Sequence, residues 1–157
     1  YTRLKRFKKY LFRAMRQQAA SSVPQETWEY LIEHGPYRDA KHVQLTLKQA
    51  RHLKRKCYDS LPLMCAHLCL QPVPSLSETE MSEATRHFDV IERHIERTGD
   101  PMISYLFCLE FILTKMGRTD MLEFLNRIKC PTRRRTYRER LTVMFRPDTI
   151  IELLMAN

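Results

Sequence analysis

The chain has 157 residues, of which 43% are hydrophobic and 29% charged, and this composition is that of an ordinary globular protein. A chain of this length can bury enough surface to be stable without a metal or disulfides, and its three glycines exclude collagen-like and low-complexity proteins. The longest apolar stretch, 102–116, is shorter than the roughly 20 residues that cross a bilayer. We therefore predict no membrane span, and the first residues also lack the pattern of a secretory signal.

The net charge of +9 is distributed unevenly along the chain. Seven of the 27 basic residues lie in 1–18, seven in 38–56 and eight in 127–146. Residues 78–110 have the opposite balance, with eight acidic residues against three arginines. This segregation predicts a polyanionic partner, and a nucleic acid is the first candidate. A solvated surface without a partner and an acidic protein surface are the alternatives.

Apolar residues recur at helical spacing along almost the whole chain, and we find no convincing run with the period of two that is typical of strands. The pattern predicts an all-α fold, a compact bundle of about seven to eight helices around a central buried helix, 101–116. We predict a single helical domain over 1–157. Because the chain begins with Tyr1 rather than methionine, we interpret it as a fragment of a longer protein.

The first predicted helix, about 2–19, has an apolar face and a basic face. The apolar stripe has helical spacing and consists of Leu4, Phe7, Leu11, Ala14 and Met15. At 100° per residue, the opposite face carries Arg6, Lys9, Arg13 and Arg16. These four side chains are predicted to hold phosphates of a nucleic acid.

Two more helices are predicted before residue 52. Ser22 is predicted to cap the second helix, with Pro24 in its first turn. Asp39 is predicted to cap the third helix, 40–51. The cluster that follows is predicted to extend the phosphate-binding surface and consists of Lys54, Arg55 and Lys56.

Prolines divide the middle of the chain. Pro62 predicts a turn near 59–61 and a buried helix over 62–70, because proline is tolerated only in the first turn of a helix. The prolines of 71–74 predict a stiff connector.

The next predicted helix, 78–98, has the clearest boundaries. Ser77 and Glu80 have capping-box spacing at its start, and Gly99 follows its end. The predicted inner positions are Ala84, Phe88, Ile91 and Ile95.

Helix 101–116 is apolar around most of its circumference, which predicts that it is enclosed by other helices. A short helix from Thr119 through Ile128 is predicted after it. A basic helix follows, capped by Thr132 and ending at about 145, and a turn or helix is predicted over 147–155.

Cys65 and Cys69 lie four residues apart and therefore share a helix face, which raises the possibility of a zinc site. His67, however, is two positions from each cysteine and points to another face. We interpret the cysteines as buried thiols. The total of five cysteines is odd, which favours reduced thiols in an intracellular setting over a disulfide framework.

Patterns typical of enzymes are missing from the sequence. His87 and His94 share a helix face with Glu83, but without a third convergent ligand we interpret them as part of a solvated surface. The three glycines are isolated, so none forms a phosphate-binding loop, and the sequence contains neither a nucleophile elbow nor a His-Glu-x-x-His motif. We predict a protein that is not an enzyme, with no cofactor in this segment and no small-molecule substrate.

The third basic segment is the richest in arginine. Its predicted nucleic-acid contacts are Arg133, Arg134, Arg135 and Arg138, and Tyr137 lies among them. Guanidinium groups bind phosphates through two parallel hydrogen bonds, and a neighbouring aromatic ring can stack on a base or on an arginine. A solvated arginine-rich helix is the alternative.

Residues in these segments resemble the poxvirus late transcription factor three-like family of large DNA viruses. The resemblance begins at Tyr1-x-Arg3-Leu4-x-x-Phe7-Lys8 and continues with Leu11, Val23-Pro24-x-Glu26, Leu47-Lys48, Lys56-x-Tyr58 and Pro62. It ends with Pro72-x-Pro74-x-Leu76, Phe88, Tyr105, Leu109, Leu113 and Gly117-Arg118. These residues span most of 1–129, and none of them is a catalytic signature.

The resemblance implies a non-catalytic factor for viral late-gene transcription that binds DNA, viral RNA polymerase or other transcription factors. It implies an intracellular location in an infected host cell, in a cytoplasmic virus factory or the nucleus, or packaging in the virion. The family has a zinc-binding, cysteine-rich segment ahead of the shared region, so zinc is expected only upstream of Tyr1. The acidic helix 78–98 would be free for a protein contact.

Two other hypotheses also fit the sequence. A structural or genome-packaging protein of the virion interior would use the same positive charge to neutralise a genome. An enzyme of nucleic-acid metabolism would require a catalytic part outside this segment.

Overall fold

The computed structural model describes residues 2–15, 22–68 and 74–156. It is all-α, as predicted, with eight α-helices and no strand in these ranges. The helices are α1 (Arg3–Ala14), α2 (Gln25–Glu33), α3 (Ala40–Gln49), α4 (Leu61–His67), α5 (Glu78–Thr98), α6 (Tyr105–Lys115), α7 (Pro131–Met144) and α8 (Pro147–Met155). Short 3-10 helices lie at Tyr58–Ser60 and Thr119–Phe124. None of the described helices is both long enough and apolar enough to span a bilayer.

The chain divides into two compact units. Unit 1 comprises Tyr1–Lys8, Leu76–Thr119 and Arg127–Asn157, and unit 2 comprises Lys9–Ser75 and Asp120–Asn126. The boundary between 8 and 9 falls inside α1, so this helix contributes its first residues to unit 1 and its remaining residues to unit 2.

Unit 2 has a core formed mainly by α2, α3 and α4. Its buried side chains include Leu31, Val43, Leu47 and Met64. Asp39 caps α3 as predicted, because its Oδ1 accepts a hydrogen bond of 2.8 Å from the His42 backbone N–H. This cap satisfies one of the amide groups that a helix start leaves without a partner.

Unit 1 is built around α5 and α6, and α7 packs against both of them. The four predicted inner residues of α5 are all buried. Phe88 of α5 stacks on Phe7 of α1, with ring centroids 4.4 Å apart. α6 buries most of its side chains, as its apolar circumference predicts, and these include the carboxylate of Glu110.

The predicted capping box of α5 is present. Ser77 Oγ accepts a hydrogen bond of 3.2 Å from the Glu80 backbone N–H, and Glu80 Oε1 accepts one of 3.1 Å from the Ser77 backbone N–H. Gly99 ends the helix with φ at 74°, a left-handed conformation that glycine adopts without strain.

Replacing Ser77 with alanine is expected to lower the free energy of unfolding by about 1 kcal/mol, because the first turn of α5 loses its side-chain acceptor. Urea denaturation measures the change. Ser82→Ala is the matched control, since Ser82 is exposed within the same helix. That variant is expected to stay within about 0.5 kcal/mol of the wild type. Equal effects of the two substitutions would contradict the role of the cap.

Several predicted helix starts differ from the structure. α2 is capped by Pro24 and has no side-chain cap, so the prediction of Ser22 as its cap is wrong. α7 begins at Pro131 after Cys130, so Thr132 lies inside the helix instead of capping it. Proline fits the first turn because the amide hydrogen that it lacks would have no partner there. α6 begins at Tyr105, four residues later than predicted, and Ser104 Oγ accepts a hydrogen bond from the Phe107 N–H.

Other predicted helix ends differ from the structure or lie outside the described residues. The structure gives α1 over Arg3–Ala14, and the end predicted for the first helix lies outside the described residues, as does most of the 71–74 connector. α4 ends at His67 instead of 70. The helix predicted over 119–128 is a 3-10 helix that ends at Phe124.

Candidate nucleic-acid interface

The basic face of α1 keeps its predicted geometry over the described part of the helix. Arg6, Lys9 and Arg13 follow one another at spacings of three and four, opposite the buried Phe7 and Leu11. Arg13 Nη1 lies 3.7 Å from Asp59 Oδ2, and its guanidinium also lies 5.8 Å from the centroid of the Tyr10 ring. Arg16 lies outside the described residues. Lys9 is exposed, whereas Arg13 already has an acidic partner.

Arg134 of α7 binds a carboxylate inside unit 1. Its guanidinium donates to both carboxylate oxygens of Glu110, at 2.9 and 2.8 Å, and to the carbonyl oxygen of Ile128 at 3.0 Å. It also lies 5.1 Å from the centroid of the Phe107 ring. Hydrogen bonding to Glu110 raises the pKa of Arg134 above its usual value. The structure therefore gives this arginine a role in packing α7 against α6.

Glu110 is the centre of this cluster. Its side chain is 7% exposed, compared with 18% for Arg134 and 45% for Arg127, whose guanidinium also binds Glu110. Burial of an unpaired carboxylate would be costly, so the two arginines compensate for the lost hydration.

The other predicted contacts on α7 do not share one face. Arg133, Arg135 and Arg138 are exposed. Arg135 and Arg138 are three residues apart and are neighbours on the helix surface. Arg133 lies about 140° from Arg138 around the axis, since five residues separate them. Apart from Arg134, the predicted cluster therefore consists of a pair of neighbouring arginines and a third arginine on another side of α7.

A group of exposed basic residues lies in unit 2, at the end of α3. Lys48 is in the last turn of α3, and the chain that follows carries exposed Arg51, Lys54 and Arg55. Lys56 Nζ donates a hydrogen bond of 3.0 Å to the carbonyl oxygen of Lys48. This bond folds the chain back onto the end of α3, where a cation also interacts favourably with the helix dipole. We name Lys48, Arg51, Lys54 and Arg55 the α3 basic surface.

The α3 basic surface is low in acidic groups. Asp39 is the single acidic residue within 38–56, and its side chain caps α3 at the opposite end of the helix. Within the described ranges, the structure shows no carboxylate paired with any of the four cations. Exposed Lys41 is seven residues before Lys48, so both project from nearly the same side of α3. The sequence predicted a basic surface over 48–56 and named Lys54, Arg55 and Lys56 as its contacts. The structure adds that Lys56 binds the Lys48 carbonyl oxygen.

Among the residues considered as metal ligands, Glu83 and His87 approach each other, with 3.6 Å between Glu83 Oε1 and His87 Nε2. No group of three or more histidine, cysteine or acidic side chains in the described part of the chain could hold a metal ion. Cys65 is buried, and burial raises its pKa to about 12, while the ring of His67 packs edge-on against Trp28 at 5.2 Å. Cys69 lies outside the described residues. His87 lies against the Phe145 ring, and burial lowers its pKa below the usual value.

Part of the acidic charge on α5 is bound within unit 1. Both oxygens of Glu80 accept hydrogen bonds of 2.9 Å from Arg118. The Ser77 backbone N–H and Arg118 hold the pKa of Glu80 below its usual range. Asp89 pairs with Arg93 at 3.0 Å, and both side chains lie on the same helix. The contact between α5 and another protein stays a prediction.

Comparisons with models of known protein families, with curated proteins and with solved structures gave no match to this chain. The resemblance to the viral late transcription factor family therefore stays a prediction.

Proposed function

We propose that this chain is a non-catalytic nucleic-acid-binding protein that makes its main contact through the α3 basic surface. The observation that supports this proposal is the grouping of Lys48, Arg51, Lys54 and Arg55 as exposed cations at the end of one helix. Each cation that neutralises a phosphate releases condensed counterions, so a group of four favours binding to a polyanion.

The distribution of charge within 38–56 supports a binding role over simple solvation. Like charges that lie close together repel one another, and a surface adapted only for solubility gains more from interspersed charges of both signs. The segment 38–56 instead holds seven basic residues and one acidic residue. A polyanionic partner would offset the repulsion among these cations.

We infer further that the chain acts as a factor for viral late-gene transcription. This role rests on the family resemblance, which includes Leu47-Lys48 and Lys56 at the α3 basic surface. Its partners would be DNA and the viral RNA polymerase or other transcription factors, in an infected cell. The proposal includes no cofactor for this segment.

Two measurements test the proposed function. The first is the affinity of the purified chain for labelled duplex and single-stranded DNA by fluorescence anisotropy, where absence of binding to both at low salt would refute nucleic-acid binding. The second compares late-promoter sequences with shuffled sequences and tests co-purification with viral RNA polymerase. A promoter preference or polymerase association supports the transcriptional role. Equal affinity for any sequence, without polymerase, would favour the genome-packaging protein instead.

A further inference from the structure

Three rings pack together in unit 2 beside the α3 basic surface. The rings of Tyr30 and His34 stack with centroids 4.0 Å apart and planes inclined by 28°. His52 packs on Tyr30 in an edge-on arrangement, with centroids 5.1 Å apart. Tyr30 is half-buried, whereas both histidines are exposed. We name Tyr30, His34 and His52 the ring cluster.

The ring cluster adjoins the α3 basic surface through the chain itself. His52 follows Arg51 directly and precedes Lys54 by two residues. The same segment is also attached to α2, because Thr27 Oγ1 donates a hydrogen bond of 3.4 Å to the carbonyl oxygen of Arg55. Thr27 is buried, so the bond lies within the packed part of unit 2. Rings and cations are thus held next to each other.

On the α2 side of the ring cluster the charge is negative. Glu26, Glu29 and Glu33 are exposed and are spaced by three and four residues, so they form one stripe along α2. Tyr30 is four residues after Glu26 and three before Glu33, which places it beside this stripe. The ring cluster therefore adjoins a positive segment through His52 and a negative stripe through Tyr30.

This arrangement of charges favours different contacts for the phosphates and for the bases of a nucleic acid. Phosphates are attracted to the α3 basic surface and repelled by the glutamates of α2. Bases are uncharged and have π faces, so they are the part that can approach the rings. In a duplex these faces are covered by neighbouring base pairs, whereas a single strand exposes them.

We propose that the α3 basic surface and the ring cluster together form a binding site for single-stranded nucleic acid. The phosphates contact Lys48, Arg51, Lys54 and Arg55, and an unpaired base stacks on an exposed ring of the ring cluster. This inference rests on the proposed function, since it requires that the chain binds nucleic acid through the α3 basic surface.

The test compares a labelled thymidine oligonucleotide with a DNA duplex of the same length, for the wild type, His52→Ala and His52→Phe. The wild type is expected to prefer the single strand. His52→Ala is expected to weaken that binding about 5- to 100-fold, which corresponds to the loss of one stacked base, and to leave duplex affinity unchanged. His52→Phe is expected to restore it, because phenylalanine keeps a stacking ring but carries no positive charge.

His52 is exposed, so its variants are expected to fold, and circular dichroism checks this before binding is measured. His34→Ala is a second variant with the same expected direction, and His94→Ala, which changes a half-buried histidine of unit 1, is a control with no expected effect. A duplex preference, or an equal loss on both probes for His52→Ala, would overturn the single-strand site while nucleic-acid binding stands. Failure of the His52→Phe variant to restore binding would also overturn stacking. Absence of binding to either probe would instead refute the proposed function.

Discussion

Glu110→Gln is expected to lower the free energy of unfolding by about 3–5 kcal/mol, the cost of removing one partner from a buried ion pair. Glu110 is 7% exposed in its side chain, and the guanidinium groups of Arg127 and Arg134 both bind it. A neutral amide would leave these two cations without a compensating charge. The glutamine NH₂ group would also face the N–H groups of the arginines, so that hydrogen-bond donors would meet donors. Glutamine offers one acceptor oxygen where the carboxylate offers two. Urea denaturation of the wild type and variant measures the loss.

The neighbouring arginines of α7 provide the matched control. Arg134→Met is expected to destabilise the protein to a similar extent, since it leaves the Glu110 carboxylate buried with Arg127 as its remaining partner. Arg135→Met makes the same chemical change one residue later on an exposed side chain. Its effect is expected to stay within about 0.5 kcal/mol. Equal effects of the two substitutions would refute the structural role of Arg134.

A double variant distinguishes the contribution of the ion pair from the cost of leaving one buried charge without a partner. Glu110→Leu combined with Arg134→Leu removes both buried charges, and Arg127 is half-exposed and can be hydrated. Replacing a buried ion pair by apolar side chains is often neutral or stabilising, so the double variant is expected to be more stable than Glu110→Leu alone or Arg134→Leu alone. A double variant as unstable as the sum of the single ones would show that the two residues do not act as a pair.

The predictable parts of the fold are determined by residues that lie close together in the sequence. The start of α5 depends on Ser77 and Glu80, three residues apart, and its end depends on Gly99. Its buried face depends on apolar residues spaced by three and four. Each of these determinants lies within one helical turn of the structure that it specifies. The α5 boundaries, cap and buried residues could therefore be predicted from the sequence.

The role of Arg134 depends on a contact that is distant in sequence. The arginine run 133–135 looks uniform, and nothing local distinguishes its middle member from the other two. The distinction comes from Glu110, which lies 24 residues earlier on α6. Glu110 is visible in the sequence as an acid within an apolar helix, but its partners depend on how α6 and α7 pack. Arg134 was for this reason predicted as a phosphate ligand.

The start of α6 shows a different limit. Ile103 is buried but lies outside the helix, so an apolar residue before the helix extended the predicted boundary to 101. Apolar residues are buried in loops as well as in helices, and the hydrophobic pattern alone cannot distinguish the two. The ring cluster instead resembles the Arg134 contact, because Tyr30 and His52 lie 22 residues apart in sequence and meet only through tertiary packing.

Replacing Lys48, Arg51, Lys54 and Arg55 together with alanine is expected to weaken binding to single-stranded DNA by on the order of 10²- to 10³-fold at 0.1 M salt. Each lost phosphate contact reduces the slope of log affinity against log salt by about 0.7 for a single strand, so four contacts reduce it by about 3. Fluorescence anisotropy titrations over a range of salt concentrations measure both the affinity and the slope. The four residues are exposed, so the fold is expected to persist.

A second quadruple variant distinguishes a localised contact from a general effect of charge. Changing Lys129, Arg133, Arg135 and Arg138 of unit 1 to alanine removes an equal number of positive charges, and all four side chains are exposed. If the α3 basic surface makes the contact, this variant keeps most of the slope of log affinity against log salt, because its direct phosphate contacts are intact. The lost net charge weakens only the long-range attraction, which salt screens. Equal losses in both variants would show diffuse binding. A loss confined to the unit 1 variant would place the contact on α7, and with it the interface that the arginine run of the sequence first predicted.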